Sequence, residues 1–352
     1  MNRRVRVKKI TITAILSVLV AALLAGCMPK EIRTVKIELG TRKKPRANPD
    51  IPRVKQNLTK AAELYPDNPE VYYLWGWVYE MEGNYAEMDK AFKKSDELSQ
   101  KFKAENDTIR MAAWDELVKE AVSDYQKEDY QTSLDKMEQA IICWPYRYDP
   151  YMFGADAAYR LGQNEKAYEL AQKAYELAPD SIQVIEVYAN MATINGKYDD
   201  AEAALTKLQA KDPTNAQVPF QLSKIYAMKD DTAKAVKAIE QAVTIDKDFA
   251  DGWFDLALLY FQMRDFCKAA DGFDHYATLK TPDADQELLH MIAIYQCGDL
   301  EKAKTGLEKF TMENPDNCEG WQYLANTYLN LKMKKEAVDA TKKFEDCQDK
   351  QK

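Results

Sequence analysis

From residue 53 to the C-terminus, apolar side chains recur every three to four positions, in segments broken by short runs of Asn, Asp, Gly and Pro. That spacing predicts amphipathic helices and argues against a sheet. The pattern also repeats as a whole. With first positions at Pro69, Trp114, Tyr148, Ile182, Ala216, Ala250, Ala284 and Cys318, every step from Trp114 onward is 34 residues, and the step before it is 45. In this register a small residue recurs in the second helix, at Ser133, Ala167, Ala201, Ala235, Ala269, Ala303 and Ala337. Closing prolines stand at Pro66, Pro145, Pro179, Pro213 and Pro315, with departures at Lys247 and Thr281, the latter followed by Pro282. The turn inside each pair reads Gly83-Asn84-Tyr85 and Gly196-Lys197-Tyr198 and is degenerate elsewhere.

The physical meaning of these positions is direct. A small side chain lets two helices approach closely, and proline ends the second helix because it lacks an N–H and clashes with the preceding turn. A single helix pair cannot cover its own apolar face, so neighbours complete one another's core. The strongest block, Tyr72, Trp75, Gly76, Tyr79, Gly83, Asn84, Tyr85 and Phe92, resembles the tetratricopeptide repeat, whose period is 34 residues. The resemblance covers roughly two-thirds of the chain and implies an all-α, right-handed superhelical solenoid of stacked antiparallel helix pairs.

The expected organisation has three parts: 1–26, 27–52 and 53–352. The last begins with a half repeat over 53–66 and continues through about eight repeats. Eleven extra residues fall near 93–108, where the lack of Pro and Gly predicts lengthened helices around a kink at Asn106-Asp107. Such a pair would divide the array into a shorter N-terminal and a longer C-terminal arm. The chain ends without a separate polar capping helix, which makes the C-terminal end a candidate self-association surface.

Residues 1–26 carry Arg3, Arg4, Arg6, Lys8 and Lys9, no acid, and an apolar run over 10–24 that leads into Leu24-Ala25-Gly26-Cys27. That is the layout of a secretory signal peptide, and Leu-Ala-Gly-Cys resembles the bacterial lipobox. The resemblance implies that Cys27 becomes the lipid-bearing N-terminus. Met28-Pro29 follows it with no Asp, which in enteric-type bacteria favours the outer membrane, facing the periplasm. Removing the five positive charges of 1–26 takes the formal net charge from −8 to −13. So acidic a body argues against nucleic acid as a partner. The segment 27–52 is locally basic, with Lys30, Arg33, Lys36, Arg42, Lys43, Lys44 and Arg46. Its prolines and charges predict an extended tether, with a strand-like alternation over 35–39.

In this family the first helix of each pair lines the concave surface. The resemblance therefore implies a partner-binding groove containing Tyr73, Trp77, Tyr125, Met152, Tyr159, Phe220, Phe254, Phe261 and Tyr295, with Asn190 and Asn326 supplying amides. Aromatic groups along a groove anchor protein or peptide partners. About half are expected to be exposed, the rest packing between repeats. Acidic second positions (Glu70, Asp115, Asp149, Asp251, Asp285, Glu319) suit the first turn of a helix. Beyond Cys27 the register places Cys267 beside Cys297 and Cys318 beside Cys347, and export permits disulfides. Cys143 stands at a core position.

Catalytic chemistry is sparse: two histidines, His275 and His290, and no Cys/His cluster, phosphate loop or nucleophile elbow. No enzyme activity, cofactor or metal is expected. The reading is a membrane-anchored envelope scaffold for protein or peptide partners, with assembly, pilotin or adaptor roles in view. The alternatives are a lipoprotein binding glycans or extended polymers, and a self-assembling structural lipoprotein.

Overall fold

The computed structural model describes residues 28–351, so the signal-peptide segment and Cys27 lie outside the described residues. The chain is an all-α repeat solenoid whose described residues fall into two compact units divided between Ala178 and Pro179. That division lies well beyond the insert near 93–108, where the sequence placed it.

The first unit runs α1 (Lys30–Leu39), a two-stranded hairpin of β1 (Gly40–Thr41) and β2 (Lys44–Pro45), α2 (Ile51–Leu64), α3 (Pro69–Met81) and α4 (Tyr85–Leu98). A 3-10 turn (Gln100–Phe102) then precedes α5 (Lys103–Gln126), α6 (Tyr130–Cys143), α7 (Asp149–Arg160) and α8 (Asn164–Leu177). The second unit has five pairs: α9 (Ile182–Ile194) with α10 (Tyr198–Lys211), α11 (Gln217–Met228) with α12 (Thr232–Ile245), α13 (Ala250–Gln262) with α14 (Phe266–Leu279), α15 (Ala284–Cys297) with α16 (Leu300–Glu313), and α17 (Cys318–Asn330) with α18 (Lys334–Lys350).

The turn inside each pair is one device used eight times. Its first residue is left-handed in every repeat: Gly83, Gly162, Gly196 and Gly298, but also Glu128, Asp230, Arg264 and Lys332, at φ of 58 to 64° in these last four. The next N–H reaches back five residues to a helix carbonyl (Asn84 to Tyr79, Asp265 to Tyr260, Met333 to Tyr328), which closes the helix end. Geometry, not glycine, is the repeated quantity, and this is why the Gly-x-Tyr signature looked degenerate. Asn84, Asp129, Asp231, Asp265 and Asp299 then cap the following helix by accepting from backbone N–H groups.

A testable consequence follows. A left-handed L-residue costs about 1–2 kcal/mol, part of which glycine's extra chain entropy offsets. Arg264→Gly and Lys332→Gly should each stabilise the protein by ~0.5–1 kcal/mol. Asp230→Gly should gain less, because Asp tolerates this region. Shifts in urea midpoint measure the series, and equal or negative shifts for Arg264 and Lys332 would refute it.

The turn between pairs has its own lock. The aromatic residue at the fourth position donates to a carbonyl six residues upstream: Tyr72 to Pro66 and Trp321 to Pro315 at 2.9 Å, Tyr151 to Pro145 at 3.3 Å, and Trp253 to Lys247 at 2.9 Å. The carbonyl is what the lock uses, so Lys247 serves where proline is missing.

Two expectations are corrected. The described part of the 27–52 segment, 28–52, is not an extended tether: α1 buries Ile32, Val35 and Leu39 against Val54, Leu58, Val71 and Leu74. Spacing of three and four residues across 32, 35 and 39 is helical, and it outweighs the short alternation over 35–39. Paired with α2, this helix completes what looked like a half repeat. Three of the segment's seven basic residues are in ion pairs, Lys36 with Glu70 at 2.7 Å, Arg42 with Glu80 at 3.1 Å and Arg46 with Glu38 at 2.6 Å. Secondly, there is no kink at Asn106-Asp107. The break falls at Ser99 and the 3-10 turn, and α5 runs unbroken for 24 residues. Asn106 is held inside by donating to Asp96 at 2.7 Å, beside a buried Arg110.

At the C-terminus, α18 buries Ala337, Ala340 and Cys347 and turns mostly charged side chains outward. The last helix is thus its own polar face.

Candidate functional site

The first helices of the pairs carry the candidate partner-binding surface, and the structure sorts its predicted residues by depth. Trp77, Met152 and Phe220 are buried, which corrects their assignment to an open groove. Their register position names a face of the helix, whereas neighbouring helices and loops decide what covers it. Trp77 sits in the N-terminal core with the Arg42 guanidinium 5.5 Å above its ring. Phe220 packs edge-on to Phe249 at 4.8 Å and lies under Lys224 Nζ at 4.1 Å. Tyr73, Tyr125, Phe254, Phe261 and Tyr295 are half-buried, and Tyr159 is exposed.

In the first unit, Tyr73 stacks on Phe102 of the insert at 4.8 Å. The Tyr125 hydroxyl donates to Asp156 on the next first helix. Burial, and then the Asp156 carboxylate, push the Tyr125 phenol above its ordinary pKa, while Arg160 opposes them. With Tyr159 this forms a small exposed surface of two phenols, one acid and one base.

In the second unit the same face carries a polar ladder. Gln221 Nε2 donates to Asn190 Oδ1 at 3.4 Å, Lys224 Nζ lies 3.9 Å from Asp255, and Tyr295 meets the edge of Tyr323 at 5.6 Å and accepts from Asn330 at 3.0 Å. Burial raises the Asp255 carboxyl above its usual range, with Lys224 pulling the other way. Phe254 leans inward onto Phe273 and Tyr276, and Phe261 onto Phe266.

Asp156, Gln221, Asp255, Tyr323 and Asn330 were missed by aromatic mapping, but a sequence signal for several existed. Tyr125–Asp156, Asn190–Gln221 and Lys224–Asp255 are all 31 residues apart. One period less one helical turn brings side chains on successive first helices together, so the ladder can be read as polar pairs at that separation. The acidic second positions behave as first-turn residues, and Glu70, Asp115, Asp149 and Asp251 also find cationic partners.

Away from this face, the insert forms a cleft of about 480 Å³ lined by Asp89, Asp96, Asp107, Arg110, Trp144 and Tyr146. Its three aspartates converge on the Arg110 guanidinium. In the second unit, disulfides join Cys267 to Cys297 and Cys318 to Cys347, with Cα separations of 4.8 and 5.5 Å. Cys143 is a buried free thiol whose pKa burial pushes up to about 12. His290 is buried near Asp274, and burial lowers its pKa, while His275 stacks on Trp253. Among the described residues no group of three or more His, Cys, Asp or Glu could hold a metal ion, and no helix is long and apolar enough to cross a membrane.

Residues 69–102 and 192–253 match family models described as tetratricopeptide repeat. The C-terminal part of a TPR repeat-containing protein from Cytophaga hutchinsonii superposes with a TM-score of 0.55 at 17% identity, over 64% of this chain and 93% of that one. That likeness agrees with the repeat-solenoid fold. The structure of Pseudomonas aeruginosa pilF covers 62% of this chain and 99% of its own, at 17% identity and a TM-score of 0.48. Lipopolysaccharide assembly protein B of Escherichia coli (strain K12) is 22% identical over 149 residues, 41% of this chain. The match spans 36% of that relative's length.

Proposed function

We propose that this protein is an exported, lipid-anchored scaffold that holds protein partners in the bacterial envelope, at the periplasmic face of the outer membrane. The first-helix faces supply the contacts, and Cys27 carries the lipid. The observation that carries the reading is the ladder of half-exposed polar and aromatic side chains on successive first helices in a tetratricopeptide-like fold. Repeats of this kind bind protein partners. The two disulfides agree with an oxidising compartment, and the Leu24-Ala25-Gly26-Cys27 run supplies the anchoring signal. An assembly role agrees with the name of the Escherichia coli relative.

The glycan reading has less support, because stacking on sugars needs open aromatic faces. Tyr73 is covered by Phe102, Phe220 by Lys224, and Phe254 by Phe273 and Tyr276. Self-assembly through the C-terminal end is disfavoured by the charged outer side of α18.

Affinity capture from gently solubilised native membranes tests the proposal. Trp77 and Phe220 make poor probes, because truncating them would open the core. The comparison uses Tyr125→Ala with Tyr159→Ala, and separately Lys224→Ala with Asp255→Ala and Tyr295→Ala. Binding hot spots cost ~2 kcal/mol or more, so a partner should be depleted at least about tenfold by one set. A partner kept equally by both folded variants would move binding off the first-helix faces and refute this assignment.

A further inference from the structure

Helix α1 has a second side that its packing does not use. At about 100° per residue, Ile32, Val35 and Leu39 share the arc that faces the core, and Lys30, Arg33 and Ile37 fall in a ~60° arc diametrically opposite. Ile37 is 66% exposed, and its neighbours on the same stripe are cations. The acids of α1 do not balance this stripe. Glu38 is taken by Arg46 and Arg53, and Glu31 lies 3.8 Å from Lys60, all on other segments. Among the described residues, Lys30, Arg33, Lys43 and Lys44 have no acidic side chain within ion-pair distance, the Arg33 guanidinium donating only to the Met28 carbonyl at 3.3 Å. Lys43 and Lys44 lie in the exposed hairpin that immediately follows. Helix stability does not explain the arrangement, since a lysine in the first turn opposes the helix dipole.

We infer that this face of α1 docks on an anionic phospholipid surface, with Lys30, Arg33, Lys43 and Lys44 against headgroup phosphates and Ile37 entering the interface. The inference rests on the membrane-anchored reading above and adds how the body meets the bilayer. Two observations choose this occupant over a protein. The patch is basic on a chain of net charge −8, so it complements an anionic surface that the rest of the molecule would repel. It also begins three residues after Cys27, which follows an apolar run over 10–24. Three residues span at most about 10 Å, close to the Debye length of about 8 Å at physiological salt. A lipid on Cys27 would therefore hold Lys30 at the edge of the membrane's own field, and α1 lying along the surface would bring in Arg33, Lys43 and Lys44. Because the segment is folded and not a loose tether, the cations are presented without further loss of chain entropy.

The test uses the full chain purified with its native N-terminus. It is floated with vesicles of phosphatidylcholine alone, or mixed with phosphatidylglycerol, and its lysines are acetylated on the vesicles and read by mass spectrometry. Acetylation of Lys30, Lys43 and Lys44 should fall several-fold on the phosphatidylglycerol vesicles, with Lys94 and Lys335 unchanged. High salt and the surface variant Arg33→Glu with Ile37→Asp should each abolish the protection. Flotation with both vesicle types and equal labelling on both would leave the anchor standing and overturn the docking. Salt-sensitive protection and flotation only with phosphatidylglycerol would support docking and overturn the anchor. Flotation with neither would overturn both.

Discussion

Replacing Arg110 with methionine is expected to destabilise the first unit by about 3–5 kcal/mol, the cost of removing one member of a buried ionic group. The side chain is 8% exposed, and Nη1 lies 3.1 Å from both Asp96 and Asp107 while Nε lies 3.4 Å from Asp89. Its guanidinium also covers the Phe92 ring at 5.2 Å. Methionine fills the volume but leaves three carboxylates facing one another, with Asn106 donating to Asp96 and the more exposed Lys93 and Lys103 beside Asp89 and Asp107. Arg110→Lys retains the charge and loses the planar fork that reaches several acids together, so its loss should be smaller than that of methionine. Hydrogen exchange followed by mass spectrometry localises the effect: peptides from 85–143 should lose protection. A loss below about 1 kcal/mol for Arg110→Met would place this cluster with surface ion pairs and refute its structural role.

That cluster was invisible in the sequence, and the reason is physical. Asp89, Asp96, Asp107 and Arg110 read as ordinary polar positions of a charged helical stretch. Only the break at Ser99 folds α4 and α5 so that they converge. The repeat, by contrast, was legible because each of its signals is local and recurs. The small position of the second helix is 1% exposed or less in every repeat from Ser133 to Ala337. A residue there must clear a helix crossing whatever its neighbours are. The candidate site was legible by half. Register gives the direction in which Trp77, Met152 and Phe220 point, but depth depends on non-repeating parts. Arg42 of the hairpin covers Trp77, and Phe249 covers Phe220. Helix α1 itself had no repeat to betray it, and its basic residues obscured a three-residue apolar stripe.

Removing the Cys318–Cys347 disulfide by Cys→Ser at both positions is expected to cost about 3–4 kcal/mol, from the chain entropy restored to the unfolded state. The bridge spans 29 residues and ties the first residue of α17 to the last turns of α18. Among the described residues this pair packs against one neighbouring pair only, α15 and α16. Its apolar holdings on α18 are slight, Ala337 and Ala340 besides the cysteine. The bridge is therefore the main covalent restraint on an otherwise thin terminal helix. Cys267–Cys297, spanning 30 residues, joins consecutive pairs and should cost a similar amount when removed. Fraying, however, should appear first in α18. Dithiothreitol should reproduce both losses in the wild-type chain. Hydrogen exchange should then rise across 318–350 before 266–313, with peptides from 30–98 as the internal reference. The buried Cys143 thiol, its pKa held near about 12, should stay unreactive and add no competing exchange. Unchanged protection of α18 after reduction would show that packing alone holds the terminal pair, and the structural role of the bridge would fall.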